Sequence, residues 1–232
     1  MPNFNISIII PVLNEAKNIR NTLVFLQERI GDSGTEIIVV DGGSKDQTVA
    51  IAQSLDVIVI ESVKPGRANQ MNAGAAIATG DILLFLHADT KLPHDYAGLI
   101  INTLAKPKVI AGAFELAIDS QQKSLRFIEA MVKMRSHWFS LPYGDQALFM
   151  KRSTFENAGG FPDLTIMEDF ALVQQLKRQG KIAIAPAVVI TSSRRWERLG
   201  VGKTTIINQL MILGYYLGVS PDKLKKFYSN RK

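Results

Sequence analysis

Short, nearly continuous apolar runs alternate with segments of helical spacing along this 232-residue chain. ISIIIPVL (6–13), EIIVVDGG (36–43), VIVIES (57–62) and the run Ile82–Leu86 in DILLFLHADT are strand-length and apolar on both faces, as buried parallel strands are. Between them, NEAKNIRNTLVFLQERI puts Ile19, Leu23, Leu26 and Ile30 on one helical face. SKDQTVAIAQSL predicts a helix with Ser44 as its N-cap, and GRANQMNAGAAIA (66–78) predicts one whose small residues pack closely on a sheet. PHDYAGLIINTLA predicts a further helix with Pro93 near its first turn. The alternation implies βαβ units and a largely parallel sheet.

The second half is less regular. VIAGAFELAI (109–118) and ALFMKR (147–152) predict strands around a helical SLRFIEAMVKMRSHWF. TIMEDFALVQQLKRQG predicts a helix stopped by a left-handed Gly180. KIAIAPAVVITSS predicts one broken strand or two short ones, with Pro186 suggesting a sheet edge. A last helix is expected from about Thr204 to Leu217, followed by a basic tail carrying Lys223, Lys225, Lys226, Arg231 and Lys232. There is no repeat, low-complexity segment or flexible linker, so one domain is expected.

Composition narrows the chemistry. With no Cys, disulfides, thiolate catalysis and Cys-based metal sites are excluded. The N-terminal stretch lacks a basic region before a strand-length apolar run, so a signal peptide is not expected, and a cytoplasmic location fits. No stretch approaches the ~18–20 apolar residues of a membrane-spanning helix. The net charge of +6 is partly the tail, which suits a solvated end or a contact with an anionic surface, lipid or nucleic acid. The final helix is apolar nearly all round. That fits burial, a homodimer interface, or peripheral membrane contact together with the tail.

In an open parallel sheet, ligands sit beyond the carboxyl ends of the strands. Asp41, Asp89 and the nearby His87 stand at such ends, and Asp41-Gly42-Gly43-Ser44 adds a permissive loop. Glu168-Asp169 opens a helix, where the dipole favours the ionised form. Asp145, in YGDQALF, precedes a strand and competes with Asp169 as a candidate base.

The blocks SIIIPVLNEAKNI, IIVVDGGSKDQT, GRANQMNAGAAIATGDILLFLHADT, GGFPDLTIMEDFALVQQLKRQGK and SSRRW resemble, in order, family 2 glycosyltransferases, in particular short single-domain bacterial members. The resemblance covers residues 5 to about 196. It implies an α/β chain with the GT-A fold, a three-layer α/β/α sandwich around a mostly parallel sheet. Residues 1–105 would form the nucleotide-binding half, 106–200 the acceptor side and 201–232 the C-terminal helix and tail. The implied activity is inverting transfer from a UDP- or GDP-sugar to an acceptor hydroxyl, with a divalent cation, Mn²⁺ or Mg²⁺, as cofactor. The acceptor would be a small molecule or a lipid-linked sugar; nucleic acid is not an expected partner.

By the same resemblance, Pro11, Asn14 and Glu15 lie near the nucleoside, Asp41 meets the base, and Arg67 meets base or diphosphate. Asp89 matches the last aspartate of D-x-D, which holds the cation. Asp169 matches the general base, with Glu168 beside it, and Arg195-Trp196 match the end of Q-x-x-R-W. The pattern is broken at His87, in place of the first D-x-D aspartate, and at Ser192, in place of the Gln; both argue against a processive synthase. His87 is either a metal ligand or structural. Arg194 is either a diphosphate clamp with Arg195 or a surface residue, and Trp196 could stack on the acceptor. GVGKTT (200–205) mimics the end of a P-loop, but Glu197 stands where that motif requires Gly. A nucleotidyltransferase would need a Gly-rich basic loop after the first strand, which PVLNEAKN lacks. A non-catalytic sugar-nucleotide-binding protein would be expected to lose Asp89 or Asp169.

Overall fold

Side chains alternate across a strand, so an apolar run with both faces buried must feed two cores. In the computed structural model, which describes residues 4–30 and 34–229, this is what the runs do. The elements are β1 (Ile6–Val12), α1 (Ile19–Ile30), β2 (Glu36–Asp41), α2 (Thr48–Gln53), β3 (Ile58–Glu61), α3 (Arg67–Ile77), β4 (Ile82–Phe85), β5 (Thr90–Lys91) and α4 (Tyr96–Leu104). They continue as β6 (Val109–Asp119), α5 (Lys123–Phe139), a 3₁₀ turn at Gly144–Gln146, β7 (Leu148–Lys151), α6 (Arg152–Asn157), α7 (Glu168–Lys177), β8 (Lys181–Ser192), α8 (Arg194–Leu199), α9 (Val201–Tyr216) and α10 (Pro221–Ser229).

Ile8 and Ile10 of β1, Val39 of β2 and Leu84 of β4 pack on one side with Leu23 of α1 and Ile100 of α4. Their neighbours Ile9, Val40 and Leu83 pack on the other with Met71 of α3 and Leu172 of α7. The result is the expected three layers. The small residues of α3 bring it close: a Cβ on Gly74 would meet Ile9 Cγ2 at 2.6 Å and Val40 Cγ2 at 2.9 Å.

The sheet order is β3-β2-β1-β4-β7-β6-β8-β5. β1 pairs in parallel with β2 and β4, β2 with β3, and β6 with β8. β7 runs antiparallel to β4 and β6, and β5 to β8, so the sheet is mixed.

Several local expectations are corrected. Ser44 caps no helix: α2 begins four residues later, at Thr48. Pro93 lies before the Asp95 N-cap of α4 rather than in its first turn. α7 stops with Arg178 right-handed (φ −78°), and Gly180 is not left-handed. Gly180 is needed for close approach, since a Cβ there would meet Ile110 Cγ2 at 2.7 Å and Lys108 O at 3.1 Å. Pro186 marks a bulge inside one continuous strand. The register steps from Phe114↔Ala185 to Glu115↔Val188, so Pro186 and Ala187 are passed over and no N–H is required of the proline.

The expected final helix is α9, beginning at Val201, and the GVGKTT segment lies at its start. Its apolar residues divide. Ile207 and Met211 are buried with Leu224, while Ile206, Leu213, Tyr216 and Leu217 are exposed. The expected tail is largely helix α10, packed on α9. Arg231 and Lys232, like the first three residues of the N-terminal stretch, lie outside the described residues.

Candidate functional site

Because β1 lies between β2 and β4, the connections diverge on either side of it, and a crevice opens beyond their carboxyl ends. A cleft of about 450 Å³ occupies that place. Pro11, Leu13 and Glu15 line it from β1 and its loop, Gly42 from just beyond β2, Arg67 and Gln70 from α3, and His87 and Asp89 from beyond β4. Lys225 of α10 completes the lining. An adjoining narrow recess shares Arg67 and His87 and reaches Gly144 and Asp169 between apolar walls that include Phe85 and Phe161. The two parts join residues from across the chain that sequence analysis singled out separately.

Asp41 is 2% exposed and organises its own loop. Gly43 and Ser44 donate backbone N–H groups to its Oδ2 at 2.7 and 2.8 Å, and the Ser44 hydroxyl donates to Oδ1. Ser44 is thus committed to the loop rather than to the start of α2. Ser44 Oγ also accepts the Asn14 N–H at 2.8 Å, and Asn14 Oδ1 accepts the Lys45 N–H at 2.8 Å, so the loops after β1 and β2 are stitched together. Asn14 holds a left-handed φ of 56°, which Asn tolerates better than most residues.

Asp89 does not stand alone. Arg194 Nη2 donates to Asp89 Oδ2 at 2.8 Å and to Glu15 Oε2 at 3.2 Å, so α8 is strapped across the mouth of the cleft. His87 is held down at about 4 by burial and then by the Arg67 guanidinium, against the Asp89 and Asp169 carboxylates, so its imidazole is neutral at ordinary pH. Among the described residues, no cluster of three or more His, Cys, Asp or Glu could cage a cation. The donor set does suit a hard cation that brings its own ligands: Asp89 presents a partly exposed carboxylate and His87 a neutral nitrogen, leaving the other positions to phosphate oxygens and water.

In the recess, Asp169 Oδ2 accepts the Gly144 N–H at 2.7 Å and Oδ1 the Phe170 N–H at 2.7 Å. Glu168 is buried, its carboxyl pushed up by that burial and by Asp169, with Arg67 Nε at 3.9 Å. Asp145 Oδ1 is buried without a hydrogen-bond partner among the described residues, and burial raises its carboxyl. Arg195 and Trp196 line neither part of the site. Arg195 donates to Asn208 Oδ1 at 2.9 Å and lies 4.4 Å from the Tyr228 ring centroid, and the buried Trp196 Nε1 has no partner among the described residues.

Two glutamines were missed in the sequence. Gln70 Nε2 donates to Val12 O and Val40 O, both at 2.8 Å, and ties α3 to the ends of β1 and β2. Its only sequence signal is an amide in a helix otherwise rich in small residues. Gln146 accepts from Ser136 Oγ at 2.9 Å and Arg135 Nη2 at 3.0 Å, donates to Phe114 O at 2.8 Å, and so holds the turn that carries Gly144. Gln70→Leu would remove a donor from each carbonyl, although Val12 O keeps the Gly42 N–H at 3.0 Å. It is expected to cost about 1–3 kcal/mol in urea unfolding; a loss below a few tenths would show that water replaces the amide.

The family model for glycosyl transferase family 2 matches residues 7–161. The chain is 28% identical over 171 residues to glycosyltransferase AglE of Haloferax volcanii, a match covering 68% of this chain and 56% of that protein. It is 32% identical over 129 residues to glucosyl-3-phosphoglycerate synthase of Mycobacterium tuberculosis, covering 52% of this chain and 39% of that protein. These matches therefore span 39% to 56% of the relatives' own length. Among solved structures, the mannosyltransferase PcManGT of Pyrobaculum calidifontis, in complex with GDP-Man and Mn²⁺, shares the fold with a TM-score of 0.64 at 24% identity, over 80% of this chain and 56% of that one. TarS of S. aureus, in complex with UDP-GlcNAc, gives a TM-score of 0.66 at 18% identity, over 81% and 58%.

Proposed function

The chain belongs to glycosyl transferase family 2, and from that premise we propose that it transfers a sugar from a UDP- or GDP-sugar to an acceptor hydroxyl with inversion. The observation that carries the proposal is the meeting of Asp89, Arg67 and His87 in one cleft with Asp169 in the recess that opens from it. The donor's nucleoside lies against the loops of Pro11, Asn14, Glu15 and Gly42, and Asp41 acts through the loop it holds. Arg67 sits between cleft and recess, where a guanidinium can meet diphosphate oxygens. Asp169 takes the proton of the attacking hydroxyl, its carboxylate aimed by Gly144 and Phe170. Asp89, with His87 beside it, would hold Mg²⁺ or Mn²⁺, which when bound supplies neutralising charge to the departing diphosphate.

In this assignment Arg195 braces α9 and α10 through Asn208 and Tyr228 rather than touching donor. No helix among the described residues is long and apolar enough to cross a membrane. Incubation with UDP- and GDP-sugars and Mn²⁺ tests the reading: slow release of the nucleoside diphosphate is expected, accelerated by the correct acceptor from a panel of soluble and lipid-linked hydroxyl compounds. Tight donor binding with no release under any acceptor would make the protein a sugar-nucleotide binder instead.

A further inference from the structure

We propose that α10 is a wall of the donor site and that Lys225 binds the diphosphate of the donor. The proposal rests on the glycosyl-transfer reading and adds to it a residue well beyond the family match, which ends at residue 161.

Lys225 lines the same cleft as Asp89, His87 and Arg67. Its ammonium makes no hydrogen bond or ion pair with any described residue, whereas Arg194 is committed to Asp89 and Glu15 and Arg67 has Glu168 at 3.9 Å. The cleft is therefore lined, among the described residues, by a lysine without a hydrogen bond or ion pair together with Glu15, Asp89 and Arg67.

The helix that carries it is seated by specific contacts. Leu224 is 5% exposed and packs with Ile207 and Met211 of α9. Gly214 of α9 admits it, since a Cβ there would meet Leu224 Cδ2 at 2.7 Å. Thr165, in the loop before α7, donates its hydroxyl to Asp222 Oδ1 at 3.0 Å and pins the first turn. Residues three apart share a helix face, so Tyr228 lies beside Lys225. The Tyr228 hydroxyl is pushed up by burial, with the Asp145 and Asp169 carboxylates adding to that rise against the Arg195 and Arg67 guanidiniums. One face of α10 thus carries Lys225 at the donor cleft and Tyr228 against Arg195 of α8. A basic segment that resembles a solvated tail in the sequence is placed to read phosphate.

Calorimetric titration of UDP, GDP and inorganic pyrophosphate into the full chain, with uridine and guanosine as phosphate-free probes, tests this. Lys225→Ala is expected to weaken the phosphate-bearing probes on the order of tenfold, the size of one charge-assisted hydrogen bond, and to leave the nucleosides unchanged. Lys225→Arg should recover most of the loss, and Lys223→Ala should match wild type. If Lys225→Ala binds UDP and GDP like wild type, the assignment falls while the family reading stands. If the nucleosides weaken by the same factor, the residue supports the helix rather than the phosphate, and the assignment also falls. If wild type binds neither nucleotide, the glycosyl-transfer reading fails and takes this inference with it.

Discussion

Asp169→Asn is expected to bind UDP or GDP within about twofold of wild type and to lose transfer by about 10²–10⁴-fold. The carboxylate does two jobs. Its oxygens accept N–H groups from Gly144 and Phe170, which orient it, and it lines the recess, where it can take a proton. An amide keeps the shape and one acceptor but turns its NH₂ toward one of those two donors. A stability loss of about 1–3 kcal/mol should accompany the substitution, and a melting curve separates it from the kinetic effect. Asp145 is the control. Its Oδ1 is buried, its carboxyl is raised by that burial, and it does not line the recess, so an amide resembles its protonated form. Asp145→Asn should lose no more than about tenfold in transfer. The reverse pattern, with Asp145→Asn inactive and Asp169→Asn active, would move the base to Asp145.

The parts of this molecule visible in the sequence are those set by short-range periodicity. β1, β2 and β4 are buried on both faces, so their apolar runs are unbroken, and the residues at their carboxyl ends fall at the crevice by topology alone. What stayed hidden depends on partners far along the chain. Gln70 is informative only once Val12 and Val40 are known to present carbonyls to it, and Arg194 only once α8 lies across β1 and β4. Ser44 has the chemistry of an N-cap, yet its oxygen accepts the Asn14 N–H and its hydroxyl donates to Asp41. Gly180 shows the same ambiguity, since tertiary crowding rather than a helix stop requires it, and Pro186 adds a bulge to a stretch of β8 that among the described residues pairs only with β6. α10 reads as a tail because three lysines fall within it, although Leu224, Phe227 and Tyr228 carry a helical stripe.

Removing the cation and removing Asp89 should have the same consequence for nucleotide affinity. In wild type, UDP or GDP is expected to bind on the order of 100-fold more tightly with Mn²⁺ than with EDTA, about 2.7 kcal/mol, because the diphosphate otherwise faces the carboxylates of Asp89 and Glu15. Asp89→Ala should abolish that difference by deleting the principal protein ligand. The state of Arg194 sharpens the expectation. Its Nη2 is held between Asp89 Oδ2 at 2.8 Å and Glu15 Oε2 at 3.2 Å, and loss of Asp89 frees half of that grip. With one negative charge removed from the cleft and one guanidinium loosened, the variant in EDTA should bind nucleotide at least as tightly as wild type in EDTA. A simple loss of folding would weaken binding in both buffers, so the crossed pattern separates ligand chemistry from collapse of the site. Asp89→Ala that still gains 100-fold from Mn²⁺ would place the cation elsewhere, and His87→Ala would then be the variant in which the response should disappear.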